Sequence, residues 1–378
     1  MTRLTGVTWD HPRGYGPLEE SGARFGVHWE RRSLARFGGE PLEALAERYD
    51  LIVIDHPFCG AAADSGWLRD LRSLISSSLL EELKSDSVGP STESYWYGDG
   101  VWALPTDAAA HVAAYRPDLL RRLDAAAPRS FNEVISLAER ARRDGRFIAV
   151  PLCPGDAICT FLTLLANLGA GLEETAELDV KTAVAALWYL SELKELSHPA
   201  SIVSNPIAVY EHMSRADDVV YVPFAFGYSN YARGAKSLGF CDIAGPGSDP
   251  SAGALLGGAG CAITMSCRDV ESAVEYLEFL HSGQYQTAAY FQSGGQPGRL
   301  SAWQDRQINE ASSNFFLGTL QTMQKSYLRP RFAAFVPFME RAGVQIRAWL
   351  CEGGSASGLA ETLRRGYDEA RTKGASQT

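Results

Sequence analysis

Two copies of one tripeptide carry the first readable chemistry in this chain. Asp10-His11-Pro12 and Asp55-His56-Pro57 each join a carboxylate, an imidazole and a stiffening proline. Arg13 and Gly14 follow the first, and Phe58-Cys59-Gly60 follows the second. Carboxylates accept hydrogen bonds, guanidinium donates in a fixed fork and imidazole does either. Asp10, His11, Arg13, Asp55 and His56 could therefore satisfy the hydroxyls of a small polar solute, and Arg13 could clamp a carboxylate with two parallel bonds. Three other readings use the same residues. The aspartates can cap the turns after them while the prolines stop strands. The two carboxylates and two imidazoles are a donor set that suits zinc or iron, although nothing in their spacing demands a metal. Cys59 near His56 offers a nucleophile and a base at a loop spacing that chance often produces. A second run, Pro223 to Tyr231, brings Phe226 and Tyr228 for stacking on a sugar ring and Asn230 for its hydroxyls. The chain contains no G-x-S-x-G, Walker A, H-E-x-x-H or dinucleotide fingerprint, so no enzyme is expected and no cofactor is required.

The elements that must position these groups follow from the patterning. Leu4–Trp9 precedes the first tripeptide and reads as a strand. Leu51–Ile54 precedes the second and is apolar throughout, as a strand buried on both faces requires. Between them the sequence predicts a helix opening at Pro17, a strand over Val27–Glu30 and a helix opening at Pro41. That alternation starts an open α/β sheet. With strand order 2-1-3, both tripeptides would lie side by side at the carboxyl edge, where such sheets bind ligands. Farther on, Asp99-Gly100 predicts a tight hairpin and Ala109–Tyr115 a strand. Ser130 and Glu133 form a capping box for a helix running to Arg143 and stopped by Gly145. Phe147–Val150 reads as a strand, and Asp156 heads a helix through Leu168, with capping as its plainer role. Helices over Val180–Leu196 and Pro206–Ser214 follow, with Trp188 and Tyr189 expected to pack inside. Val219–Val222 and Cys261–Met265 are strands, and Asp269–His281 is a helix.

Bulk properties bound the function. A chain of 378 residues exceeds one ordinary core and suits two lobes. Apolar residues make up 46% and charged residues 21%, as in globular proteins. A net charge of −10 without a long basic cluster excludes nucleic acid and anionic membrane surfaces as expected partners. No stretch approaches the roughly 18 apolar residues of a membrane span. As written, the start shows no apolar leader, which predicts a cytoplasmic location. Seven cysteines without a C-x-x-C predict reduced thiols.

The order of landmarks then becomes specific. They are the first strand ending in Trp9, Tyr49 to Asp55, Tyr97 to Pro105, Tyr115 to Leu120 before the capped helix, Gly257-Gly258, and Gly294 to Pro297. In this order the chain resembles the extracellular solute-binding proteins of ABC importers, family 1. The resemblance implies an α/β, two-lobed type II periplasmic-binding-protein fold with discontinuous lobes and a hinge. One lobe would hold residues 1–107 and 259–310, the other 108–258 and 311–378. It also implies a small polar solute, a sugar or sugar acid, in a cleft that Trp9, Asp107 and Asp156 would face. An ABC permease as partner, a monomeric state and a periplasmic location go with it. The rival reading is a cytosolic enzyme or ligand sensor on the same fold.

Overall fold

The computed structural model describes residues 4–33, 41–234, 237–246 and 251–375. Strands β1 (Leu4–Trp9), β2 (Val27–Arg32) and β3 (Leu51–Ile54) open one sheet, with β1 parallel to both neighbours. The short period of β3 explains its all-apolar sequence. Leu51 and Val53 enter one core cluster while Ile52 and Ile54 enter another on the opposite face, and all four are buried. Each such side chain contributes about 1.5–3 kcal/mol.

The helix after β1 spans Pro12–Phe25, five residues earlier than the start expected at Pro17. His11 is the reason. Its Nδ1 accepts the Arg13 N–H at 3.1 Å, and Pro12 takes the first helical position, where no donor is missed. Pro17 is tolerated inside the helix, and its carbonyl is taken up by Ser21 Oγ and the Tyr285 hydroxyl. The hairpin strands are β4 (Trp96–Tyr97) and β5 (Gly100–Val101). Their turn is therefore Gly98-Asp99, one residue before the expected pair, with Gly98 at φ +55°.

Strand β6 (Leu104–Tyr115) connects the two halves of the molecule. Its first half pairs with β10 (Leu256–Ile263), and its second half pairs with β8 (Val219–Phe226) and β9 (Gly239–Cys241). With β7 (Phe147–Ile148) at the far edge, the order is β2-β1-β3-β10-β6-β8-β7, and β9 pairs with β6 off that path. Three extents differ from expectation. β8 runs on to Phe226 rather than stopping at Val222, β7 stops at Ile148, and the glycine-rich stretch from Leu256 is itself strand. At Gly258, φ is +98° and a Cβ would lie 2.3 Å from the Asp107 carbonyl oxygen, so only glycine lets the strands approach there.

The capped helix covers Phe131–Arg143 and ends near Gly145 at φ +72°. The next covers Pro154–Asn167 with Cys153 as its N-cap, which puts Asp156 in the first turn rather than at the cap. Helices Val180–Leu196, Pro206–Arg215 and Phe335–Glu352 complete the second half's packing. Tyr189 stacks on Phe131, whereas Trp188, expected to pack, is 59% exposed because it lies on the outer face. A core of its own fills this half, and Phe291, Ala302, Trp303 and Ile308 join it. Those four come from the stretch that the sequence reading gave to the first lobe.

Candidate functional site

A cavity of about 600 Å³ lies beyond the carboxyl ends of β1 and β3, against the stretch where β6 and β10 pair. Trp9 ends β1, Asp55 follows β3, and Asp107 and Ala109 come from β6. Phe226 and Tyr228 arrive from the end of β8, and Asp156 from the start of its helix. Trp9 is held by Gly14, where a Cβ would meet the indole at 2.4 Å. On the opposite wall a Cβ at Gly257 would meet the Phe226 ring at 2.5 Å, so the wall is flat backbone. Of the expected site residues, Trp9, Arg13, Asp55, Asp107, Asp156, Phe226 and Tyr228 line the cavity.

The other four are placed elsewhere. Asp10 points outward at 58% exposure, 3.8 Å from Arg31. His11 caps its helix and meets Tyr228 edge to face at 4.9 Å. Burial and the adjacent Arg13 hold its pKa down at about 4, so it is a neutral cap. His56 is fully buried against Arg329, and Asn230 donates to the Gly294 carbonyl at 3.2 Å.

Arg13 is no free clamp. Its Nε donates to Asp107 Oδ2 at 2.8 Å, its Nη2 to Asp107 Oδ1, and its Nη1 to the Gly227 carbonyl at 2.7 Å. The guanidinium also lies over the Tyr228 ring, 4.5 Å from its centroid. Burial opposes both charges, and the bidentate pair stabilises them together. A second pair mirrors the first. Arg329 Nη2 donates to both Asp55 oxygens, at 3.0 and 3.1 Å, and its Nε donates to His56 Nε2 at 3.3 Å. Burial opposes the Asp55 charge, but Arg329 and His56 outweigh it and hold the carboxyl down at about 2. Burial, reinforced by Arg329, holds His56 at about 4. Asp55 also accepts the His56 N–H at 2.9 Å, so it caps a turn while lining the cavity.

Asp156 differs from both. The Cys153 thiol donates to it at 2.9 Å, and burial pushes its carboxyl up to about 6. Arg329 lines the cavity as well, and sequence reasoning missed Cys153, Cys159, Asn205, Met339 and Glu340, which also line it. Asn205 had a local signal, since it caps the next helix by accepting the Ala208 N–H at 2.9 Å.

The metal and nucleophile readings do not fit this geometry. Asp10 is exposed, His11 caps its helix, and Asp55 and His56 are held together by Arg329, so the four do not converge on one ion. Among the described residues, His198, His212 and Asp218 are the group that comes close enough to share an ion. His198 Nδ1 accepts the Ala200 N–H at 3.2 Å, so its Nε2 carries the proton and faces Asp218 at 3.3 Å. The nitrogen a metal would need is thus a donor in this arrangement. Cys59 is fully buried with its thiol on the Ser94 carbonyl, and burial pushes its pKa far above the usual range. All seven cysteines are free thiols.

Comparison with solved structures shows the same fold from end to end. A maltose-bound protein of T. maritima aligns over 98% of this chain and 99% of its own, at TM-score 0.79 and 17% identity. An ABC transporter solute-binding protein from Agrobacterium radiobacter, in complex with ribitol, aligns over 98% of each at TM-score 0.80 and 20% identity. Another from Agrobacterium vitis, with bound D-mannitol, aligns over 98% of each at TM-score 0.76 and 15% identity. The fold is thus that of the two-lobed periplasmic binding proteins. A search of curated proteins by sequence found no match. The profile described as bacterial extracellular solute-binding protein matches residues 42–315, well over half of the chain, and the chain belongs to that family.

Proposed function

We propose that this protein binds one sugar or polyol in the cavity and that the solute holds the two lobes together. The observation that carries this reading is the lining. Trp9 comes from one half, Phe226 and Tyr228 from the other, and the polar groups between them are fixed by ion pairs before any solute arrives. Aromatic faces suit the apolar side of a sugar, and about 600 Å³ lies within the 300–1,000 Å³ usual for small-molecule sites. The similar proteins hold maltose, ribitol and D-mannitol, which supports the same solute class here. Contacts from both halves would stabilise the closed form over the open one. The halves exchange chain within β6 and again near Leu256, in line with lobes divided near 107 and 258. The return crossing falls before Ala302, because that helix packs in the second core. A closed receptor would then be read by an ABC permease outside the membrane. The described residues themselves include no helix long and apolar enough to cross one.

Thermal melts with a panel of sugars and polyols test the proposal. A solute at a hundred times its Kd adds about 2.7 kcal/mol. For a chain of 378 residues that is a rise of about 3 °C. A panel of mono- and disaccharides and linear polyols that moves the melt nowhere would contradict it.

A further inference from the structure

The charges that line the cavity do not balance. They are Arg13, Arg329, Asp55, Asp107, Asp156 and Glu340. Arg13 is joined to Asp107 and Arg329 to Asp55, so each cation is already matched by one anion. Two carboxylates remain. Among the described residues, Asp156 accepts from the Cys153 thiol alone, and no cation pairs with it or with Glu340. The two belong to neighbouring helices. At Gly343, one turn after Glu340, a Cβ would lie 2.2 Å from the Pro154 carbonyl oxygen, two residues before Asp156. Glu340 is exposed at the rim and Asp156 is half-buried in the wall. The start of the Pro154 helix supplies about half a positive charge, which favours the Asp156 carboxylate without replacing a counter-ion.

We propose, building on the sugar or polyol reading above, that the solute carries a cationic nitrogen among its hydroxyls and seats it against Asp156 and Glu340. The class is an amino sugar or amino polyol. A solute carboxylate would meet two unmatched anions and would have to displace Asp55 or Asp107 to reach a guanidinium. Neutral sugars would leave the excess negative charge uncompensated in a partly desolvated wall.

Matched probes test this by calorimetry on the full chain. D-Glucitol, D-glucamine and D-gluconate form one set, and D-glucose, D-glucosamine and D-glucuronate another. The expected result is that the amine binds at least tenfold tighter than its hydroxyl counterpart in at least one set, with the acid weakest. In Asp156→Asn and in Glu340→Gln, an exposed position that folding tolerates, the amine-to-hydroxyl ratio should fall by at least threefold. Binding of hydroxyl or acid members as tight as the amine overturns the cationic proposal and leaves the sugar reading standing. No binding by any member of either set, nor of the wider panel, overturns both. A ratio unchanged in both variants overturns the assignment to these two carboxylates.

Discussion

Replacing Asp107 with asparagine keeps shape and removes one charge from a buried pair. Arg13 is then left almost fully buried with the Gly227 carbonyl and the Tyr228 face beside it. Removing one member of such a pair costs about 3–5 kcal/mol, because the other charge stays buried and uncompensated. The unfolding entropy of globular proteins, about 2.1 cal/mol/K per residue, gives ~0.8 kcal/mol/K for 378 residues. A loss of about 4 kcal/mol is therefore a fall of about 5 °C in melting temperature. Arg13→Met combined with Asp107→Leu removes both charges and should recover more than half of that fall. The assay is a double-mutant cycle by urea denaturation with calorimetric melts alongside. A single variant within about 1 kcal/mol of the parent, or a double variant less stable than the single, would refute the claim that Arg13 is fixed by Asp107. It would also reopen Arg13 as a ligand clamp.

Further outcomes follow from other sites. Gly258→Ala forces a Cβ onto the Asp107 carbonyl at a φ of +98°, and should cost at least about 2 kcal/mol by denaturation. His11, His56 and His281, each held near pKa 4, and His111, near 3, are buried and neutral, with burial the first cause in each case. Because the unfolded chain protonates them from about pH 6.5, their contribution is complete above that pH and is lost as pH falls toward 4. Stability measured by urea should drop by about 1 kcal/mol or more per histidine between pH 6.5 and 5, and a flat profile there would contradict their burial. Asp55, held near 2 by Arg329, adds stability above about pH 3.8 that is lost only as pH falls toward 2. Arg329→Met should remove this second acid phase in melts taken between pH 4 and 2.

Much of the site's frame was readable because it is local. The all-apolar Leu51–Ile54, the Ser130 cap with its Gly145 stop, and two Asp-His-Pro runs after parallel strands are signals within a few residues. They put Trp9 and Asp55 at one sheet edge. What the sequence did not show is pairing at a distance. Arg13 and Asp107 are 94 positions apart, and Asp55 and Arg329 are 274 apart, so no periodicity links them. Without those pairs, Arg13 reads as a free clamp and His56 as a ligand, when one is spent on Asp107 and the other lies beneath Arg329. The helix start moved from Pro17 to Pro12 for a related reason. A histidine cap is uncommon, and its acceptor role depends on burial that keeps the ring neutral. Met339 and Glu340 reach the cavity only because Gly343 lets their helix press against Pro154, a contact between chain segments far apart in sequence.

The proposed receptor holds a polyhydroxylated solute between the aromatic faces of the two halves. Native mass spectrometry tests it most directly, with the full chain mixed with an equimolar panel of sugars, polyols and their amino counterparts. A one-to-one adduct with at least one panel member is expected, and its loss in the Trp9→Ala Phe226→Ala variant. A protein that forms no adduct, or an adduct equally strong in that variant, would contradict it.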